Sequence, residues 1–227
     1  MTADVRASAT RATSTDEGRV TLHSFSFGPH YDPGNLGFGP LVCHNDDLVD
    51  AGAGYAEHPH TGLEIVTWVL EGALLHHDST GSSHVVEAGR AQVLSAGSGI
   101  RHSEVADPAS GRCRFVQAWL APTTPGGPPT YTRGEAPPVG SGLVEVAGGD
   151  GLPIGTAGAR LLLARLGPGD AVTLPDDAAQ HVFAASGAVS LGDLDLHAGD
   201  AVRLTDEPGH VVTATRDTEL LVWSFAG

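Results

Sequence analysis

Lysine is missing from this chain, and all 12 of its cationic side chains are arginine. Schiff-base chemistry at a lysine amine is therefore excluded. Positive charge is scarce beside 27 acidic residues, giving a formal net charge of −15 and a sequence pI of about 5.0. Such a surface repels phosphate backbones, and no basic patch is concentrated anywhere, so direct nucleic-acid binding is not expected. Cysteine occurs only at Cys43 and Cys113. The first 20 residues carry no apolar core of a signal peptide, and no run approaches the about 18 apolar residues of a membrane span. The expectation is a cytoplasmic protein with reduced thiols and no membrane contact.

Glycine (31) and proline (15) are plentiful and scattered as turn punctuation. Between them lie short apolar runs rich in β-branched and aromatic residues, such as Leu63–Leu70, Arg114–Leu120, Arg160–Leu166 and Leu220–Phe225. They are too short for typical helices and read as strands, so the fold class is all-β. Residues 1–18 are polar and aperiodic and read as a flexible N-terminal tail. Residues 122–140 are dense in proline and glycine and read as a linker. That leaves an N-terminal domain over 19–121 and a C-terminal domain over 141–227. The halves repeat weakly. Leu70-Glu71-Gly72-Ala73-Leu74 matches Ala185-Ser186-Gly187-Ala188-Val189, and Glu87-Ala88-Gly89-Arg90-Ala91 matches His197-Ala198-Gly199-Asp200-Ala201. A duplicated unit would give this pattern.

Histidine is abundant at 12 residues, and two clusters stand out. The first is Glu57-His58-Pro59-His60-Thr61-Gly62-Leu63-Glu64. On an extended strand, side chains two apart share a face, which would align His58, His60 and Glu64. The second is Gly99-Ile100-Arg101-His102-Ser103-Glu104, where His102 and Glu104 share a face. If the two strands are neighbours inside a barrel, three imidazoles and a carboxylate converge there. That donor set suits a borderline divalent transition metal and leaves coordination positions open for a substrate or O₂. His76-His77-Asp78 reads as a solvated turn, Trp68 and Trp119 as core, and His181, His197 and His210 as surface or hydrogen-bonding residues.

The pattern His-x-His-x(3)-Glu-x(7)-Gly followed by Gly-x(2)-His-x-Glu resembles the two cupin motifs in their pirin form. The stretches His23-Ser24-Phe25-Ser26-Phe27-Gly28, Tyr31-Asp32-Pro33, Gly37-Phe38-Gly39-Pro40, Asn45-Asp46-Asp47 and Ser95–Glu104 are similar to the pirin N-terminal signature. The likeness is strong over 23–120 and loose over 140–227. It implies two cupin (jelly-roll-type) β-barrels packed together in one chain. The N-terminal barrel would hold one divalent transition metal, iron first, with Mn, Co, Ni, Cu and Zn open. Its implied ligands are His58, His60, His102 and Glu104, with Glu64 left as a supporting residue. Counting from the repeated glycines, the matching positions of the second half are Thr173, Pro175, Val212 and Ala214, so its barrel is expected to lack metal ligands.

Two functions fit the resemblance. One is a metal-dependent dioxygenase that cleaves a flavonol such as quercetin with O₂, with Glu104 as the catalytic base. The other is a non-enzymatic metal- or redox-sensing regulator whose acidic surface binds a partner protein.

Overall fold

The computed structural model describes residues 3–134, 142–206 and 209–226. Apart from one 3₁₀ turn at Ser8–Thr10, its regular elements are strands. In chain order they are β1 (Ala3–Arg6), β2 (Ala12–Asp16), β3 (Arg19–His23), β4 (Leu41–Val49), β5 (Gly54–His60), β6 (Glu64–Glu71), β7 (Ala73–Asp78), β8 (Ser83–Glu87), β9 (Ala91–Ser95), β10 (Ile100–Ala106), β11 (Cys113–Leu120) and β12 (Thr130–Gly134). They continue with β13 (Val144–Ala147), β14 (Ala159–Leu166), β15 (Ala171–Thr173), β16 (Ala179–Ser186), β17 (Ala188–Leu191), β18 (Leu194–His197), β19 (Ala201–Thr205), β20 (Val211–Ala214) and β21 (Thr218–Phe225).

The chain divides into two compact units, one of Ala12–Ala136 with Leu152–Ala157, the other of Met1–Arg11, Pro137–Gly151 and Gly158–Gly227. The first holds a seven-stranded sheet, β12-β9-β6-β11-β4-β3-β2, and a four-stranded sheet, β5-β10-β7-β8. The second holds a six-stranded sheet, β1-β19-β16-β21-β14-β13, and a four-stranded sheet, β15-β20-β17-β18. The strand order repeats between units, which is the two-barrel cupin plan. The duplicated glycines occupy matching corners. Gly72 and Gly187 have φ of 70° and 74°. A Cβ at Gly72 would lie 2.3 Å from the Arg112 carbonyl oxygen, and one at Gly187 2.1 Å from that of Asp217. Only glycine fits both the left-handed backbone and the close approach.

Two sequence expectations change here. Ala3–Arg6 and Ala12–Asp16 form strands, joined through a 3₁₀ turn, where a flexible tail is expected. Asp4 and Val5 of β1 pair with Arg203 and Val202 of β19, and β2 pairs with β3. The pairing partner of β1 lies at the far end of the chain, so no local pattern announces it. Within 122–140, Thr130–Gly134 forms an edge strand on β9, and residues 135–140 lie outside the described residues.

The interiors of the units differ in chemistry. In the second, Leu162, Val182, Leu191, Val202, Val212 and Leu220 belong to one continuous apolar cluster. Each such side chain contributes about 1.5–3 kcal/mol on burial. Ala214 lies in the same cluster, so Val212 and Ala214 are core. Among the described residues, the first unit holds smaller apolar clusters. One includes Val49, Val69, Leu74 and Phe115; another Ile65, Leu94, Ile100 and, partly buried, Trp119 and Tyr131. Polar side chains lie on the strands between these clusters.

Candidate metal centre

Register on β10 assembles that polar layer. His102 sits opposite His58 on β5, and Glu104 sits opposite His76 on β7. His102 also faces Asp78 across the β7 ladder. Alternation along β10 turns Ile100, His102, Glu104 and Ala106 inward, and all four are buried. Their neighbours Arg101, Ser103 and Val105 are more exposed.

The ligand atoms of His58, His60 and His102 all lie within 4.8 Å of one another. The ring of His102 is 4.6 Å from that of His58 and 5.0 Å from that of His60. Nδ1 of His58 contacts the Ala56 carbonyl oxygen at 2.8 Å, which leaves its Nε2 for a ligand. Nε2 of His60 and both ring nitrogens of His102 are buried with no hydrogen-bond partner. Burial lowers the pKa of His60 to about 4 and of His102 to about 3, with neighbouring imidazoles adding to the effect. Both rings are thus neutral near pH 7, the state that binds a metal. Such orphaned nitrogens on two of three converging rings are what a bound ion would satisfy, so the residues fit a divalent metal.

Glu104 is buried against both sheets. Nε2 of Gln92 (β9) donates to its Oε1 at 2.6 Å, and Nε2 of Gln117 (β11) donates to its Oε2 at 2.8 Å. Both amides also reach Oγ1 of Thr67 on β6, at 3.4 and 3.1 Å. Burial raises the Glu104 pKa, and the two glutamine amides and nearby histidines oppose that rise. The clamps are themselves anchored. Tyr131 Oη donates to Oε1 of Gln92 at 2.9 Å, and the Trp119 indole N–H donates to Oε1 of Gln117 at 2.9 Å. Trp119 is half-buried where the sequence suggested core. Its ring centroid lies 5.0 Å from His60 and 5.4 Å from Phe27, making an aromatic wall beside the imidazoles. Phe27 in turn stacks on His23 at 4.8 Å, while Phe25 is core and Tyr31 is exposed.

The four residues named from the resemblance do not form one tight cluster. Glu104 groups with His102 and His76, whose ligand atoms also lie within 4.8 Å of one another. His102 is common to both groups. His76, read from sequence as part of a solvated turn, is fully buried. The signal available was parity, since Leu74, His76 and Asp78 alternate with Leu75 and His77 on a strand. Glu64 leaves the group. The strand carrying His58 and His60 ends at His60, and Gly62 turns the chain with φ of 60° before β6 starts at Glu64. On β6 Glu64 lies on the face opposite Thr67, and Ser95 Oγ donates to it at 2.5 Å. His181, expected at the surface or in a hydrogen-bonding role, is fully buried in the second unit.

Comparison with known proteins agrees with this architecture. The Pirin family model matches residues 5–120, and the model described as the quercetinase C-terminal cupin domain matches residues 147–223. A Mycobacterium tuberculosis protein, named provisionally as a quercetin 2,3-dioxygenase, is 43% identical over 99% of this chain and 95% of its own. A quercetin 2,3-dioxygenase of Escherichia coli K12 is 45% identical over 49% of this chain and 48% of its own. The crystal structure of the E. coli pirin YhhW in complex with nickel(II) superposes with a TM-score of 0.91 at 29% identity, covering 99% of each chain. With the same two-unit β architecture and matches along both halves, this chain belongs to the pirin family.

Proposed function

We propose that the protein is a metal-dependent cupin dioxygenase that cleaves a flavonol of the quercetin type with O₂. The observation that carries this reading is the cluster of three imidazoles, two of them with buried unpartnered nitrogens, set against a clamped buried carboxylate and an aromatic wall. His58, His60, His102 and Glu104 would hold one divalent ion. Relatives named for quercetin dioxygenation and a nickel-bound pirin support it.

The ion would supply Lewis acidity to the flavonol hydroxyl and a site at which O₂ can be activated. The chain's own residues do the rest. Trp119 and Phe27 offer ring faces on which a flat polyphenol stacks. Glu104 is the carboxylate placed to accept the hydroxyl proton. Gln92 and Gln117 keep the carboxylate in place as it gains the proton. His60 and His102 stay neutral throughout. O₂ then adds to the activated ring, which opens and releases carbon monoxide.

The test is oxygen uptake with quercetin by the stripped protein reloaded in turn with iron, manganese, cobalt, nickel or copper. Uptake with at least one ion, lost in His60→Ala, is the expected result. No uptake with any of them would refute the dioxygenase and favour a regulator that binds a protein partner through its acidic surface.

A further inference from the structure

His76 is a buried imidazole with no part in the function above. Its Nε2 lies 3.2 Å from Oδ2 of Asp78, and both side chains are fully covered. Asp78 is held in that position by its other oxygen, which accepts from the Thr80 N–H at 2.8 Å, the Thr80 hydroxyl at 2.6 Å and the Ser82 N–H at 3.2 Å. An ionised carboxylate only accepts, so Nε2 of His76 donates to it and Nδ1 is the ring nitrogen left over. That Nδ1 is buried and has no hydrogen-bond partner. The ring cannot turn away to find one, because Tyr131 stacks on it at 4.2 Å and 18°. A histidine with one nitrogen on a carboxylate and the other bare is the arrangement that orients metal ligands. One ring nitrogen of His76 lies within 4.8 Å of a ligand atom of His102 and of one of Glu104.

We infer that the centre has a second, inner cation position, formed by His76, His102 and Glu104, with Nδ1 of His76 as a ligand atom. The inference rests on the metal-centre reading above and extends it. Two imidazoles and a carboxylate suit a borderline divalent ion such as Co²⁺, Ni²⁺, Fe²⁺ or Zn²⁺. The inner and outer positions share His102, and Glu104 is the one carboxylate among their ligands. Two dications there would repel strongly with little compensating charge. The positions are therefore alternatives for a single ion, outer with His58 and His60, inner with His76, and His102 serves both.

The test removes the outer pair and asks whether an ion still binds. The full chain carrying His58→Asn and His60→Asn is stripped and titrated with Co²⁺, following visible ligand-field absorbance and metal per chain. The expected result is one Co²⁺ per chain, bound about 10- to 100-fold more weakly than by the unmutated protein, with binding abolished when His76→Phe is added. Phenylalanine keeps a ring for Tyr131 to stack on, and circular dichroism checks that each variant is folded. No Co²⁺ in the double variant, or binding that His76→Phe leaves unchanged, overturns the inner position. Should the double variant fail to fold, anomalous diffraction from crystals of the single variant His60→Asn loaded with Co²⁺ decides, since its inner position keeps three ligands and its outer one two. Density beside His76 supports the proposal, and density confined to the space between His58 and His102 refutes it. If the unmutated chain binds no divalent ion, the metal-centre reading itself fails, which is a different outcome.

Discussion

The indole N–H of Trp119 donates to Oε1 of Gln117, and the amide of the same glutamine donates to Glu104, so the aromatic wall and the buried carboxylate are joined by one side chain. Removing the amide tests that link. Gln117→Leu leaves one oxygen of Glu104 and the indole N–H without partners. Unfolding stability should fall by about 1–3 kcal/mol, the cost of burying unsatisfied polar groups. Metal affinity should fall about 10- to 100-fold, as for other groups that orient ligands. Denaturant titration and metal titration read the two effects separately. Unchanged metal affinity would mean that Gln117 only fills space.

Trp119 can be tested for its two roles. Trp119→Phe keeps a ring beside His60 and Phe27 but loses the donor to Gln117. Metal affinity should weaken, while the KM for a flavonol should change little. Trp119→Ala removes the wall as well, and its KM should rise by about 2- to 10-fold, as expected for one lost aromatic contact. Equal KM values for the two variants would show that the ring does not touch the substrate.

His181 gives the second unit a pH dependence. Burial, reinforced by the positive charges of Arg203 and Arg11, lowers its pKa from 6.5 to about 3. Between those values the unfolded chain binds a proton that the folded chain does not. Stability therefore rises with pH across that window and levels off above about 6.5. Below it, this one residue should cost about 1.4 kcal/mol per pH unit. Denaturant melts of metal-free full-length protein at pH 7 and pH 5 should differ less in His181→Phe than in the unmutated chain. The same pH difference in both would remove His181 from the account.

The repeated corners should fail alike. Gly72→Ala and Gly187→Ala each place a Cβ against a backbone carbonyl, at 2.3 and 2.1 Å, on a left-handed backbone. Each should destabilise its unit by more than about 1 kcal/mol. Melting temperatures check this, and tolerance at either corner would argue against structural equivalence of the repeats.

Much of the centre was legible in the residues, and the parts that were not have physical reasons. His58 with His60, and His102 with Glu104, were placed by strand parity alone, because each pair lies within one strand. Glu64 was aligned with His58 and His60 by extending that parity across Gly62, where the chain turns and changes sheets. His76 owes its burial to register, which leaves no local signal beyond strand parity. It faces Glu104 across β10 and lies under Tyr131, and neither neighbour is near it in sequence. Gln92 and Gln117 carry no motif at all. They matter through the carboxylate that each meets from the opposite sheet. The N-terminal strand has no local signature because its pairing partner, β19, belongs to the other end of the chain.

The most direct measurement is metal content at saturation. Stripped full-length protein is dialysed against a limiting series of Ni²⁺ or Fe²⁺, and bound ion is counted per chain by mass spectrometry. The account requires saturation at one ion per chain, with affinity falling steeply in His102→Ala, the residue common to both ligand groups. A chain that takes up no ion, or takes up as much without the His102 imidazole, would contradict it.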